Sequence, residues 1–187
     1  MARYTAAVEP AGERLDSPRG APLTGLGWVD VQGRIAGARD YLVATTGPGG
    51  APHVVPVLAV WVEGMVCFVT SRGARKSRNL ARNSRCVVTV PGSDVDLVFE
   101  GVAGLVRDEG RLREIAGAFP VKYPWWHPFV RGGEFYDPAD GGLDDPRYVY
   151  AVQPVQVFAF GKEDGFSATR WRFRTAPSSI ANEGKTR

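Results

Sequence analysis

The sequence predicts a mainly β protein: an antiparallel β-barrel of six to eight strands flanked by two or three short helices. Short apolar runs rich in Val, Thr and Phe recur along the chain, and the turns between them are too short to hold crossover helices. Only two or three segments show helical periodicity. A doubly wound parallel sheet would need a helix between most consecutive strands, and here strands follow strands.

The first 25 residues carry Pro10, Gly12, Pro18, Gly20 and Pro22 among small and charged residues, which offers little to bury and predicts a flexible N-terminal arm. Trp28, Val31 and Ile35 then recur at helical spacing, with Asp30 near the start, so 28–39 reads as an amphipathic helix. Gly33 and Gly37 weaken it. Three strands are expected next, Tyr41–Thr46, His53–Val62 and Met65–Thr70, and the two-residue turn Glu63-Gly64 makes the last pair a hairpin.

Ala74–Asn83 reads as a short helix anchored by Leu80, followed by strands over Cys86–Val90 and Leu97–Val106. Gly101 and Gly104 inside the second run suggest a bulge or a bend. Leu112, Ile115, Ala116 and Phe119 form one apolar stripe, which predicts a second core-facing helix that Pro120 ends or kinks. Between Lys122 and Arg147 the chain is rich in Pro, Gly and Asp yet carries Trp125, Trp126, His127, Phe129, Phe135 and Tyr136. A solvated loop has no use for so many rings, so they dock on this barrel, on a second subunit or on a ligand. Strands over Tyr148–Val152, Val155–Gly161 and Ala168–Phe173 complete the set, giving one domain over 26–174 and a disordered tail over 175–187.

At 187 residues and 44% hydrophobic, the chain can bury one real core but does not call for two domains. Its net charge of +3 rests on 19 Arg and 4 Lys scattered over the whole length, so no dedicated basic stripe points to nucleic acid. No run approaches the roughly 20 apolar residues of a membrane span, and the N-terminus has no apolar signal core. A soluble cytoplasmic protein is expected. Cys67 and Cys86 sit inside apolar runs and read as inert core thiols. With no CxxC and with His53 and His127 far apart, no metal site is expected.

One cluster carries chemistry. A β-rich run ends at Thr70-Ser71, and Arg72, Arg75, Lys76, Arg78, Arg82 and Arg85 follow within two short turns of chain. Forked guanidinium groups beside an ammonium suit phosphate oxygens, and the amino end of a helix adds its dipole to the same anion. The inferred ligand is a phosphorylated cofactor. A solvated helix face with weak surface ion pairs is the bland alternative. Pro56 can donate no ladder hydrogen bond, which places its strand at a sheet edge or bulge. His53 reads as a polar residue of a half-buried strand rather than a base. No nucleophile–base pair and no paired carboxylates are evident, so the cofactor is expected to do the chemistry.

Taken in order, Tyr41–Thr46, Gly50–Val57, Phe68–Ser71, Arg75–Leu80 and Glu100-Gly101 resemble the split-barrel, flavin-binding family of pyridoxamine 5'-phosphate oxidase. The closing Ala168-Thr169-Arg170-Trp171-Arg172-Phe173 is similar to the last strand of a subgroup that includes deazaflavin-dependent reductases. The resemblance covers roughly residues 28–173 and implies an antiparallel split β-barrel that forms a homodimer, with cofactors in clefts between subunits. It implies that Val54, Val55, Pro56 and Val57 run along the ring system, that Thr70 and Ser71 lie by the ring and ribityl chain, and that Arg75 and Lys76 take the phosphate, with Arg78 and Asn79 as neighbours.

The cofactor so implied is FMN or coenzyme F420, whose polyanionic tail would use the extra cations; some relatives bind haem, for which His53 or His127 would be the ligand. Trp125, Trp126 and Trp171 remain either barrel or interface aromatics or substrate contacts. The pattern departs from true vitamin B6 oxidases at His53 and Leu58, where those carry Arg and Lys, at Asp96, where they carry Gln nearby, and in lacking a late Arg–His pair. The resemblance therefore implies a flavin- or deazaflavin-dependent oxidoreductase acting on a small organic molecule, not pyridoxamine 5'-phosphate oxidation itself. A non-catalytic flavin or haem carrier is the alternative.

Overall fold

The computed structural model describes residues 10–15, 26–138, 142–162 and 167–173. Their order is β1 (Gly12–Leu15), α1 (Trp28–Gly37), β2 (Tyr41–Thr46), β3 (Pro52–Val57), β4 (Ala59–Val62), β5 (Met65–Thr70), α2 (Arg75–Arg82), β6 (Arg85–Val90), β7 (Val95–Leu105), α3 (Glu109–Lys122), β8 (Phe129–Arg131), β9 (Glu134–Asp137), β10 (Gly142–Gly161) and β11 (Ser167–Arg172). Every pairing among the described residues is antiparallel. The sheet runs β1-β11-β10-β7-β6-β2-β3, and β10 also pairs β5, which pairs β4. Among the described residues it does not close: β3 pairs only β2 while β4, next in the chain, pairs only β5, so the barrel is split where the chain passes from the β2 side to the β5 side.

Four departures from the sequence reading have plain causes. His53–Val62 is two strands, because the chain leaves the β2 side of the split at Leu58 and joins β5 on the other. Tyr148–Val152 and Val155–Gly161 belong to one 20-residue strand. Its register against β7 shifts between Pro154 and Gln156, where proline lacks the N–H the ladder would use. Gly101 faces that bulge, and a Cβ there would lie 2.5 Å from the Gln153 carbonyl oxygen. Pro120 lies inside α3, which continues to Lys122, since loss of one hydrogen bond in a last turn is tolerated when the helix face is buried. Within the segment read as an arm, Gly12–Leu15 pairs β11; residues 1–9 and 16–25, like the tail over 175–187, lie outside the described residues.

Alternation along the strands builds two cores. Trp28, Val31 and Ile35 of α1 pack on the barrel interior with Tyr41, Val43, Phe68, Phe99, Val157 and Trp171. Leu112, Ile115 and Phe119 of α3 pack with Val60, Cys67, Trp126 and Phe135 on the other side of the β4–β5–β10 layer. Strand β5 therefore reads as an unbroken apolar run: Val66 and Phe68 serve one core, Met65 and Cys67 the other. Each fully buried Val, Leu, Ile or Phe contributes about 1.5–3 kcal/mol. The hairpin turn at Glu63 and Gly64 has φ of 47° and 77°, the left-handed pair that matches strand twist. Asp30 accepts the Gly27 N–H at 2.8 Å and Asp108 the Arg111 N–H at 2.9 Å, capping α1 and α3.

Residues 129–137, for which the sequence pattern assigns no strand, form the β8–β9 hairpin, closed by Gly132 and Gly133 at φ of 59° and 76°. Phe135 of this hairpin and Trp126 just ahead of it pack the α3 core, 1% and 3% exposed. Among the described residues no helix is long and apolar enough to cross a membrane.

Candidate functional site

The site forms where β5 gives way to α2, beside the unpaired edge of β3. After Thr70 the chain turns, and the Ser71 carbonyl accepts both the Ala74 N–H at 3.1 Å and the Ser77 hydroxyl at 2.8 Å. That fixes the start of α2. Its inward face carries the buried Ser77, Asn79 and Leu80, and Asn79 Nδ2 donates to Thr45 Oγ1 on β2 at 2.9 Å. The helix is thus docked across the end of β2, and its outward face holds cations.

These cations differ in what they already touch. Arg72 ion-pairs with Glu134 of β9 and lies over the Tyr148 ring, 5.1 Å from its centroid; Arg78 donates to the Gly73 carbonyl. The expectation that Arg72 serves an anionic ligand therefore meets a competing carboxylate. Arg75 and Lys76, by contrast, have no ion pair or hydrogen bond to protein among the described residues. Burial lowers the Lys76 ammonium below the ordinary lysine range, so an anion beside it would be welcome. A Cβ on Gly47 would meet Arg75 Nη2 at 3.7 Å and Asn79 Oδ1 at 3.6 Å, so the Arg75 guanidinium lies across the end of β2.

Along β3, Pro52, Val54 and Pro56 point outward while His53, Val55 and Val57 are half-buried. Val54 is 56% exposed, a large figure for a strand valine. Pro56 lies on an edge strand, as its missing N–H requires. His53 pairs directly with Thr45, which puts it on the face where Asn79 docks. Its Nδ1 is buried without a hydrogen-bond partner among the described residues, as is Thr70 Oγ1. Buried polar atoms are seldom left so, and both invite a ligand atom.

The structure therefore brings together Val54, Val55, Pro56 and Val57 on one edge, and Thr70, Ser71, Arg75, Lys76, Arg78 and Asn79 around the start of α2. It does not bring the tryptophans there. Trp126 belongs to the α3 core, its Nε1 donating to Asp137 at 2.5 Å, and Trp171 packs against Trp28 in the other core. Trp125 alone is open, at 65% exposure. Sequence reasoning missed Arg147: its side chain is only 9% exposed, and it donates to the Ser71 hydroxyl. Its one signal was a position just ahead of an apolar strand run. Both cysteines are free and buried, and burial pushes their thiols up to about 12. No cluster of three or more His, Cys, Asp or Glu suited to a metal ion occurs among the described residues.

An antiparallel split barrel with flanking helices, carrying an anion-ready helix start beside an open strand edge, defines the class, and the chain falls within one family of it. The family model of pyridoxamine 5'-phosphate oxidase matches residues 30–161, and the chain belongs to this family. No curated protein matches it by sequence. Among solved structures, it is similar to an F420 reductase at 20% identity and a TM-score of 0.51, over 67% of this chain and 94% of that one. An FAD-binding protein from Mesorhizobium loti is similar at 15% identity and a TM-score of 0.53, over 78% of this chain and 95% of the other. A haem-binding protein from Mycobacterium smegmatis gives 19% identity and a TM-score of 0.54, over 73% of this chain and 55% of that one. At such identities the likeness is one of fold.

Proposed function

We propose that the protein is a flavin- or deazaflavin-dependent oxidoreductase that passes a hydride between its bound cofactor, FMN or coenzyme F420, and a small organic substrate. The observation that carries this reading is the pair Arg75 and Lys76, two cations with no ion pair or hydrogen bond to protein among the described residues, at the amino end of a docked helix. The residues present fit such a group: Arg75 and Lys76 would hold a phosphate, and Thr70, Ser71 and the Val54–Val57 edge would meet the rest. When bound, the cofactor supplies the hydride chemistry. The chain's own residues bind, orient and exclude water, and none is arranged as a nucleophile with its base. The open β3 edge and the exposed Val54 support a homodimer in which a second copy covers the cofactor.

Purified protein titrated with FMN and with coenzyme F420 separates the two cofactors, one of which is expected to bind. Replacing both cations, Arg75→Ala with Lys76→Ala, removes two charge-assisted contacts worth about 1.5–3 kcal/mol each, so affinity should fall about a hundredfold or more. Unchanged affinity for both would overturn the reading. The buried, unpartnered His53 Nδ1 favours a second reading, a non-catalytic flavin or haem carrier. Haem titration giving a Soret band that His53→Ala abolishes, with no reduction of bound flavin by any nicotinamide donor, would select it.

A further inference from the structure

We propose that Arg147 is a positioning residue of the cofactor site, holding the Ser71 hydroxyl as a one-way hydrogen-bond donor aimed at an electron-rich acceptor atom of the ligand. The assignment rests on the reading that this site takes a phosphorylated redox cofactor. Three contacts lead to it. A guanidinium N–H can only donate, so the contact from Arg147 Nη1 makes Ser71 Oγ the acceptor. The hydroxyl keeps one proton to give, and a donor cation behind it polarises that proton outward. Rotation of the residue is already limited, because the Ser71 carbonyl is held at 3.1 Å by the Ala74 N–H and at 2.8 Å by Ser77 Oγ.

The surroundings hold this geometry in place. Arg147 is 9% exposed, with Asp145 at 3.5 Å behind it. Its strand pairs Phe135 of β9, whose neighbour Glu134 in turn holds Arg72. The turn that bears Ser71 is therefore tied to β9, β10 and α2 at once. Next to it in the chain, Thr70 Oγ1 is buried with no hydrogen-bond partner among the described residues, a second hydroxyl at the same turn that a ligand acceptor could satisfy. An electron-rich oxygen or nitrogen of a bound cofactor satisfies the Ser71 proton, whereas a ligand presenting a C–H or an N–H there would leave it unpaired and be disfavoured.

The test is a double-mutant cycle on cofactor affinity, read by fluorescence titration with FMN and, separately, with F420. Ser71→Ala and Arg147→Met are each expected to weaken binding about tenfold, and together no more than either alone. Ser71→Thr and Arg147→Lys should restore most of the affinity, which a merely structural role would not predict. Ser71→Ala leaves the buried arginine in place, so it remains informative if Arg147→Met folds poorly; melting curves identify that case. If removing Arg75 and Lys76 weakens binding but Ser71→Ala does not, or if the two losses multiply, this assignment is overturned and the cofactor reading stands. If the wild type binds neither molecule, both are overturned together.

Discussion

Lys122 sits at the end of α3 with its ammonium 4.4 Å from the centroid of the Tyr41 ring and 5.7 Å from that of Tyr123, and it donates to the Tyr41 hydroxyl. Aromatic faces attract a cation but replace water poorly, and burial lowers this amine from 10.5 to about 8. The unfolded chain therefore binds more protons than the folded one between about pH 8 and 10.5. Stability contributed at this residue rises with pH across that window, and the desolvation cost is full below it. Replacing Lys122 with Met removes the titrating group. Urea midpoints of wild type and variant at a series of pH values should show the wild type gaining on the variant from pH 8 upward; parallel curves would contradict the assignment. The residue scale is also where sequence misleads most. Arg72 and Arg75 look alike in the chain, yet Glu134, distant in sequence, takes one and leaves the other open.

Among the elements, α2 matters most, because a helix of eight residues is too short to persist on its own and must be held by packing. Leu80 supplies the apolar anchor and Asn79 the polar one, through Thr45. Asn79→Ala leaves the Thr45 hydroxyl buried without its donor, which costs about 1–3 kcal/mol. Equilibrium urea denaturation should show that loss; a change within error would mean that Thr45 finds another partner. Most elements were legible. The 3.6-residue spacing of Leu112, Ile115, Ala116 and Phe119 and the Glu63-Gly64 turn are local signals, and each appears where the pattern required. The β8–β9 hairpin was not legible, since its strands are three and four residues long, too short for alternation to register. Nor was the break at Leu58, because both sides of it are equally apolar and only the choice of partner strand differs.

At the scale of the whole molecule, the split decides what the protein can be. An edge strand with its outward residues exposed is a site for further pairing or covering, and natural proteins seldom leave one so open. The proposed homodimer predicts sedimentation at twice the 20.3 kDa of the chain. Val54→Asp on that edge should shift the balance toward monomer and weaken cofactor binding in parallel. A wild type that sediments as a monomer at micromolar concentration would remove the dimer from the proposal.

The chain by itself determined the mainly β character, the order of the principal elements and the position of the cation cluster just after β5. Those follow from periodicity, turn residues and local charge, which act over a few residues. Tertiary structure alone decided which cations stay open, which tryptophans are core, and that Arg147 stands behind Ser71. These outcomes depend on which strands pair across the split, and residues 76 positions apart leave no local trace of meeting.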